Sequence, residues 1–152
     1  MKIDIKIERI SFQLGMINCF AEMVACGVKK LALSPPVSPE EYSVIKKYSD
    51  KIVKGFNIQS YVEKSLLITD LQPEEFTRGK WAILYYETDA ILEQYLALKQ
   101  KKQGLGNAGA YDEPARRKIS VEFGRLLSYP DEKIEEKIGK SITPFMLIEV
   151  VG

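Results

Sequence analysis

The chain of 152 residues contains no histidine. That absence removes Ser-His-Asp and Cys-His catalysis, imidazole acid–base chemistry and most transition-metal sites. Cysteine is scarce, with only Cys19 and Cys26. Both fall in one apolar stretch with helical spacing. On a helix they stand roughly 10 Å apart at about 1.5 Å per residue, beyond the roughly 7 Å that a disulfide spans. They are expected to be reduced, buried thiols that act as small hydrophobes. No zinc site is indicated and no cofactor is implied.

Long hydrophobic runs are also missing. The best candidate is broken by Gln13, Asn18 and Glu22, short of the roughly 18 uninterrupted apolar residues that suggest a membrane span. The first residues, Met1 to Glu8, carry a charge at every second position, which leaves no apolar core for a secretory signal. The expectation is a cytoplasmic protein with no membrane partner. A charge excess is lacking too: Lys plus Arg is 22 and Asp plus Glu is 21. With no global field to draw it in, nucleic acid is not an expected partner.

What remains has the composition of a globular chain, 45% hydrophobic and 28% charged. Its length suits a single globular domain over residues 1–152 with its own core. The centre of the reading is the segment of about residues 10–28. One apolar stripe runs Ile10, Leu14, Ile17, Ala21, Val24, Val28. A second runs Phe12, Met16, Cys19, Met23, Cys26. Both keep the three-and-four spacing of an α-helix. A helix apolar on two sides is expected to be covered on two sides, so this one is placed at the centre with Met23 fully packed. The strip Ser11, Gly15, Asn18, Glu22, Ala25, Lys29 lacks large apolar groups.

Around it the pattern alternates. Ile3, Ile5 and Ile7 against Lys2, Asp4, Lys6 and Glu8 have the period of a half-buried strand. Residues 30–34 read as a short strand or a frayed helix end. Ser38, Pro39 and Glu41 have capping-box spacing for a helix that runs to Lys54 and stops at Gly55. Residues 58–62 read as extended and Ser65 to Asp70 as a strand. Pro73 opens a turn or short helix, and residues 80–86 read as a buried strand rich in aromatics. Thr88 or Asp89 caps a helix that ends in the basic turn of residues 99–103. Asp112 caps the next helix, residues 113–127. A short charged helix follows over residues 131–138, and residues 142–151 read as a final strand. The order predicts an α/β or α+β fold, a small mixed sheet packed around the buried N-terminal helix. The alternative is a mostly helical fold that absorbs the Trp81 segment.

Three groups of residues could carry chemistry. Gly104, Gly106 and Gly109 match the spacing of a dinucleotide loop, but they follow a Lys-rich helix and not a strand, so that context is wrong. The looser reading is an anion site, with Lys101, Lys102, Arg116 and Arg117 flanking the loop, a helix N-terminus after it and Tyr111 beside it to stack on a ring. The plain reading is a mobile connection between helices. Asp70, Glu87 and Asp89 lie at or just after strand ends, where carboxylates suit Mg²⁺ or acid–base work. Opening a turn and capping a helix are the ordinary jobs of Asp at such positions. Glu22, the only charge between Arg9 and Lys29, either lines a cleft with Asn18 or faces water.

These features predict a non-catalytic binding or assembly module, with a small anionic ligand such as a phosphate or nucleotide. The rival is a small enzyme acting on a phosphorylated or nucleotide substrate through Glu22, Asp70 and Asp89. The apolar run from Phe145 to Val151 is expected to pair as a strand, either within the domain sheet or across a homodimer.

Overall fold

The computed structural model describes residues 3–72, 74–139 and 148–151; the side chains of residues 3–5, 76 and 148–151 lie outside that description. The chain is a mixed α/β structure. In order it forms β1 (Ile3–Glu8), α1 (Arg9–Ala25), β2 (Leu31–Leu33), α2 (Tyr42–Phe56), β3 (Gln59–Glu63), a 3₁₀ turn (Glu74–Phe76), β4 (Ala82–Tyr86), α3 (Asp89–Asn107), α4 (Glu113–Leu126), α5 (Asp131–Gly139) and β5 (Ile148–Val151).

The main sheet is antiparallel in the order β2-β4-β3. Its central strand, β4, is buried at all five positions, because helices cover both faces. Side chains alternate across a strand. Ala82, Leu84 and Tyr86 join a cluster with Tyr95, Leu98, Ile119, Phe123 and Ile134 from α3, α4 and α5. Ile83 and Tyr85 join Ile17, Ala21, Val24 and Ile45 from α1 and α2. The adjacent tyrosines therefore serve opposite cores, as strand period requires. The Tyr85 hydroxyl shares a hydrogen bond of 2.8 Å with Ser49 Oγ, and burial pushes that phenol well above its ordinary range.

Local chemistry explains most boundaries. Glu8 caps α1, its carboxylate accepting from the amides of Ile10 and Ser11 at 3.1 and 2.7 Å. Asp112 caps α4 by accepting from the Ala115 amide at 3.0 Å, as predicted. Ser38 bonds to Glu41, but the box closes a turn ahead of α2. Gly55 does not stop that helix. Asn57, in the left-handed region at φ 55°, does, a conformation that Asn tolerates.

Three further expectations are corrected. Among the described residues, helix α1 is covered on one side only. Gln13, Ile17, Ala21 and Val24 are buried, while Cys19 and Cys26 are exposed, Met23 is 39% exposed and Val28 is 65% exposed. The first apolar stripe is the inner face of the helix, up to Val24. The second points outward, so the thiols are not core residues.

Ser65 to Asp70 is not a strand, although Leu66, Leu67 and Leu71 are buried. Side chains satisfy its backbone in place of a ladder. The Leu67 amide donates to the Tyr95 hydroxyl at 3.0 Å, the Ser65 amide to Glu63 at 2.9 Å and the Asp70 amide to Ser120 Oγ at 3.1 Å. Buried backbone groups need partners, not a particular kind of partner.

The glycine stretch is not a free loop, since α3 continues through Gly104 and Gly106 to Asn107. Gly109 at φ 67° ends it, with the Ala110 amide reaching Leu105 O and the Gly109 amide reaching Gly106 O. This is the Schellman pattern. Each glycine costs the helix about 0.5–1 kcal/mol relative to alanine, a loss offset where Leu105 packs on the core.

The C-terminal strand pairs within the chain, but outside the main sheet. β5 lies parallel to β1, with Ile3 opposite Ile148, Ile7 opposite Val150 and Glu8 opposite Val151. The earlier part of that predicted strand, residues 142–147, falls outside the described residues.

Candidate functional site

The candidate residues divide into one assembled cluster and several scattered positions. The cluster forms where residues 66–71 meet the ends of α3 and α4. Arg116 Nη2 donates to Asp70 Oδ1 at 2.6 Å. Lys102 Nζ donates to Ile68 O at 2.6 Å and lies 5.4 Å from the centroid of the Tyr111 ring. Burial pushes the Lys102 ammonium below its ordinary value and the Tyr111 phenol above its own. The charges and donors here already have partners, so the cluster holds residues 66–71 against the helices.

The remaining candidates lie apart from it. Arg117 pairs with Glu135 across α4 and α5. Glu22 and Asn18 are exposed on α1, in the helical layer across the main sheet from Asp70. Asp89 is exposed in the first turn of α3. Glu22, Asp70 and Asp89 therefore share no cluster. Gly104, Gly106 and Gly109 serve the end of α3. Among the described residues, no group of three or more His, Cys, Asp or Glu could hold a metal ion. Among those residues, too, no helix is long and apolar enough to cross a membrane.

Lys101 leads to a different place. It lines a cleft of about 390 Å³ between α3 and α4 together with Lys30, Gln94, Ala97, Leu98, Glu122, Arg125 and Leu126. Gln94, Ala97, Leu98 and Lys101 lie three or four residues apart on one face of α3, as Glu122, Arg125 and Leu126 do on α4. The loop after α1 closes the cleft. Lys29 Nζ donates to Leu127 O at 2.9 Å and sits 5.0 Å from the Tyr129 ring. A cation there suits the C-terminal dipole of α4. Burial pushes this ammonium below its ordinary value, and repulsion from Lys137 adds to the shift. The Lys30 amide donates to Ser128 Oγ at 2.9 Å. The left-handed φ of 67° at Ser128 belongs to the turn that ends α4.

The cleft carries three cations and one acid. Lys101 pairs with Glu122 at 3.0 Å. Arg125 makes two bonds to Asp131, at 3.0 and 3.2 Å. No ion pair of Lys30 is found among the described residues. Ala97, Leu98 and Leu126 supply an apolar floor. The arrangement can hold a negative group near the cations and an apolar body against the floor.

Sequence reasoning found Lys101 and missed Lys30, Gln94, Glu122 and Arg125. The available signal was the matching polar spacing on two consecutive helices. It becomes a site only once the helices are known to pack side by side. Comparison of the chain with family models, with curated proteins and with solved structures finds no match.

Proposed function

We propose that this protein is a non-catalytic binding module whose ligand is a small organic anion with a short apolar part. The observation that carries the reading is Lys30, which lines the α3–α4 cleft over its apolar floor and for which no ion pair is found among the described residues, while Lys101 and Arg125 beside it pair with Glu122 and Asp131. A phosphate or carboxylate there would gain charge-assisted hydrogen bonds from Lys30, and Arg125, whose Nε and Nη2 already bond to Asp131, would add its positive charge. The enzyme alternative would need Glu22, Asp70 and Asp89 around one substrate, since reacting groups work within hydrogen-bond reach. The exposed position of Glu22 across the sheet from Asp70 favours the binding module.

The test is a titration of isotopically labelled protein, followed residue by residue, with inorganic phosphate and with butyl phosphate. Saturable shifts should gather at Lys30, Gln94–Lys101 and Glu122–Leu126. Butyl phosphate should bind more tightly, because its chain reaches the floor. Combined Lys30→Gln and Arg125→Gln should weaken it about tenfold or more, roughly 1.4 kcal/mol, while Arg117→Gln should change nothing. Absence of saturable shifts, or equal weakening by Arg117→Gln, would remove the proposal.

A further inference from the structure

We infer that Lys29 is a reactive amine that captures a small aldehyde bearing a negative group, as a reversible imine beside Tyr129. Lys29 stands in the loop between α1 and β2 and is half-buried. Its Nζ donates to Leu127 O at 2.9 Å and lies 5.0 Å from the centroid of the Tyr129 ring. Lys137 of α5 brings its own Nζ to 4.9 Å from the same centroid. Two ammonium groups therefore share one aromatic ring.

A lysine taken partly out of water is ordinarily matched with a carboxylate. No ion pair of Lys29 is found among the described residues. Three acids of α5 are engaged elsewhere: Asp131 with Arg125, Glu135 with Arg117 and Glu136 with Lys133. Burial pushes the Tyr129 phenol above its ordinary value, so that group stays neutral. The Lys29 amine thus meets a carbonyl oxygen, an uncharged ring and a like charge. Desolvation and a neighbouring cation are the settings in which a lysine becomes a nucleophile. Both favour release of its proton here.

The surroundings also select the product. The C-terminal dipole of α4 favours a cation at this place. An amide or a carbamate would give the charge up. A protonated imine keeps it, together with one N–H for Leu127 O. The step balances without an oxidant or a reductant. The neutral amine adds to the carbonyl carbon and a C–N bond forms. The carbonyl oxygen leaves as water with two protons of the original ammonium. The nitrogen keeps the third proton and the positive charge, and water reverses the step. Lys137 supplies a cation for a negative group on the aldehyde. Neither Lys29 nor Lys137 lines the α3–α4 cleft, so this inference stands apart from the function proposed for the cleft.

The test is reductive trapping of the full native chain with glyoxylate and sodium cyanoborohydride near neutral pH. Mass spectrometry maps the modified lysines. Acetaldehyde, with the same number of carbons, is the uncharged control. Exposed Lys47, which also lies over a tyrosine ring, is the internal reference. Lys29 should be trapped several-fold faster than Lys47, and its lead should be larger with glyoxylate than with acetaldehyde. Lys137→Gln should remove both the lead and the preference. The comparison with Lys47 uses the unaltered chain, so it stands whether or not that variant folds. Three results would each overturn the inference. One is trapping of native Lys29 at or below the rate of Lys47, which would leave the amine only tying the loop to α4. Another is an equal lead with both aldehydes. The last is a lead that a folded Lys137→Gln chain retains in full.

Discussion

The two helical layers beside the main sheet finish their outer surfaces in opposite ways. On the α3–α5 side, ion pairs run from helix to helix and turn to turn: Lys101–Glu122, Arg117–Glu135, Arg125–Asp131 and Arg116–Asp70. On the other side, α2 carries Lys46–Asp50, but the outward face of α1 carries one charge and a row of sulfur and aromatic side chains. Surface pairs are individually worth about 0–1 kcal/mol, so the contrast is not chiefly one of stability. It concerns which face can lose water without losing charge. The charged side keeps a polar cleft, the site proposed for an anion, and the apolar side leaves Cys19, Met23 and Cys26 exposed.

The largest expected difference is in the cores. Phe123 is fully buried among Tyr95, Ile119 and Ile134, so Phe123→Ala should cost about 3–5 kcal/mol in chemical denaturation. A cost below about 1 kcal/mol would mean that α4 is not seated on the sheet as described.

A smaller effect should appear at high pH, and it draws on both layers at once. Burial raises the phenols of Tyr85 and Tyr95 above their ordinary value of 10.0. For Tyr95, the bond to Glu63 at 2.8 Å pushes the same way. A raised folded value means that the unfolded chain loses those protons first. Their contribution is complete below pH 10 and declines as pH rises toward the folded values. Stability should fall above pH 10 by up to about 1.4 kcal/mol per pH unit for each phenol. Tyr85→Phe and Tyr95→Phe should each flatten that slope, whatever they do to stability at pH 7. A slope unchanged by both substitutions would place the alkaline transition elsewhere.

The smallest effect is expected at Met23. On the open face, Met23→Ala should change the stability of dilute protein by no more than about 0.5 kcal/mol. A loss of about 2–5 kcal/mol, the range for a fully packed methionine, would return the second stripe to the core.

Much of the fold was legible in the sequence, and the reasons are local. The aromatic run of β4, the Asp112 cap of α4 and the alternation of β1 depend on neighbours a few residues away. The inner stripe of α1 was legible for the same reason. Its outer stripe was misread because period says which residues share a face, not whether anything covers it. Residues 65–70 were misread because Tyr95, Ser120 and Lys102 satisfy their backbone from 28, 50 and 34 residues away. Gly104 and Gly106 look like breakers until Leu105 is seen to pack and Gly109 to end the helix. At the candidate site Lys101 could be named, but Lys30 reaches the cleft only through the loop that docks on the end of α4.

The most direct measurement is the rate at which Cys19 and Cys26 react with a thiol reagent in dilute native protein, compared with the same protein in denaturant. Thiols on an open helix face should both react at close to the denatured rate. Strong protection of both thiols in the dilute native protein would contradict the account, because α1 would then be covered on both sides.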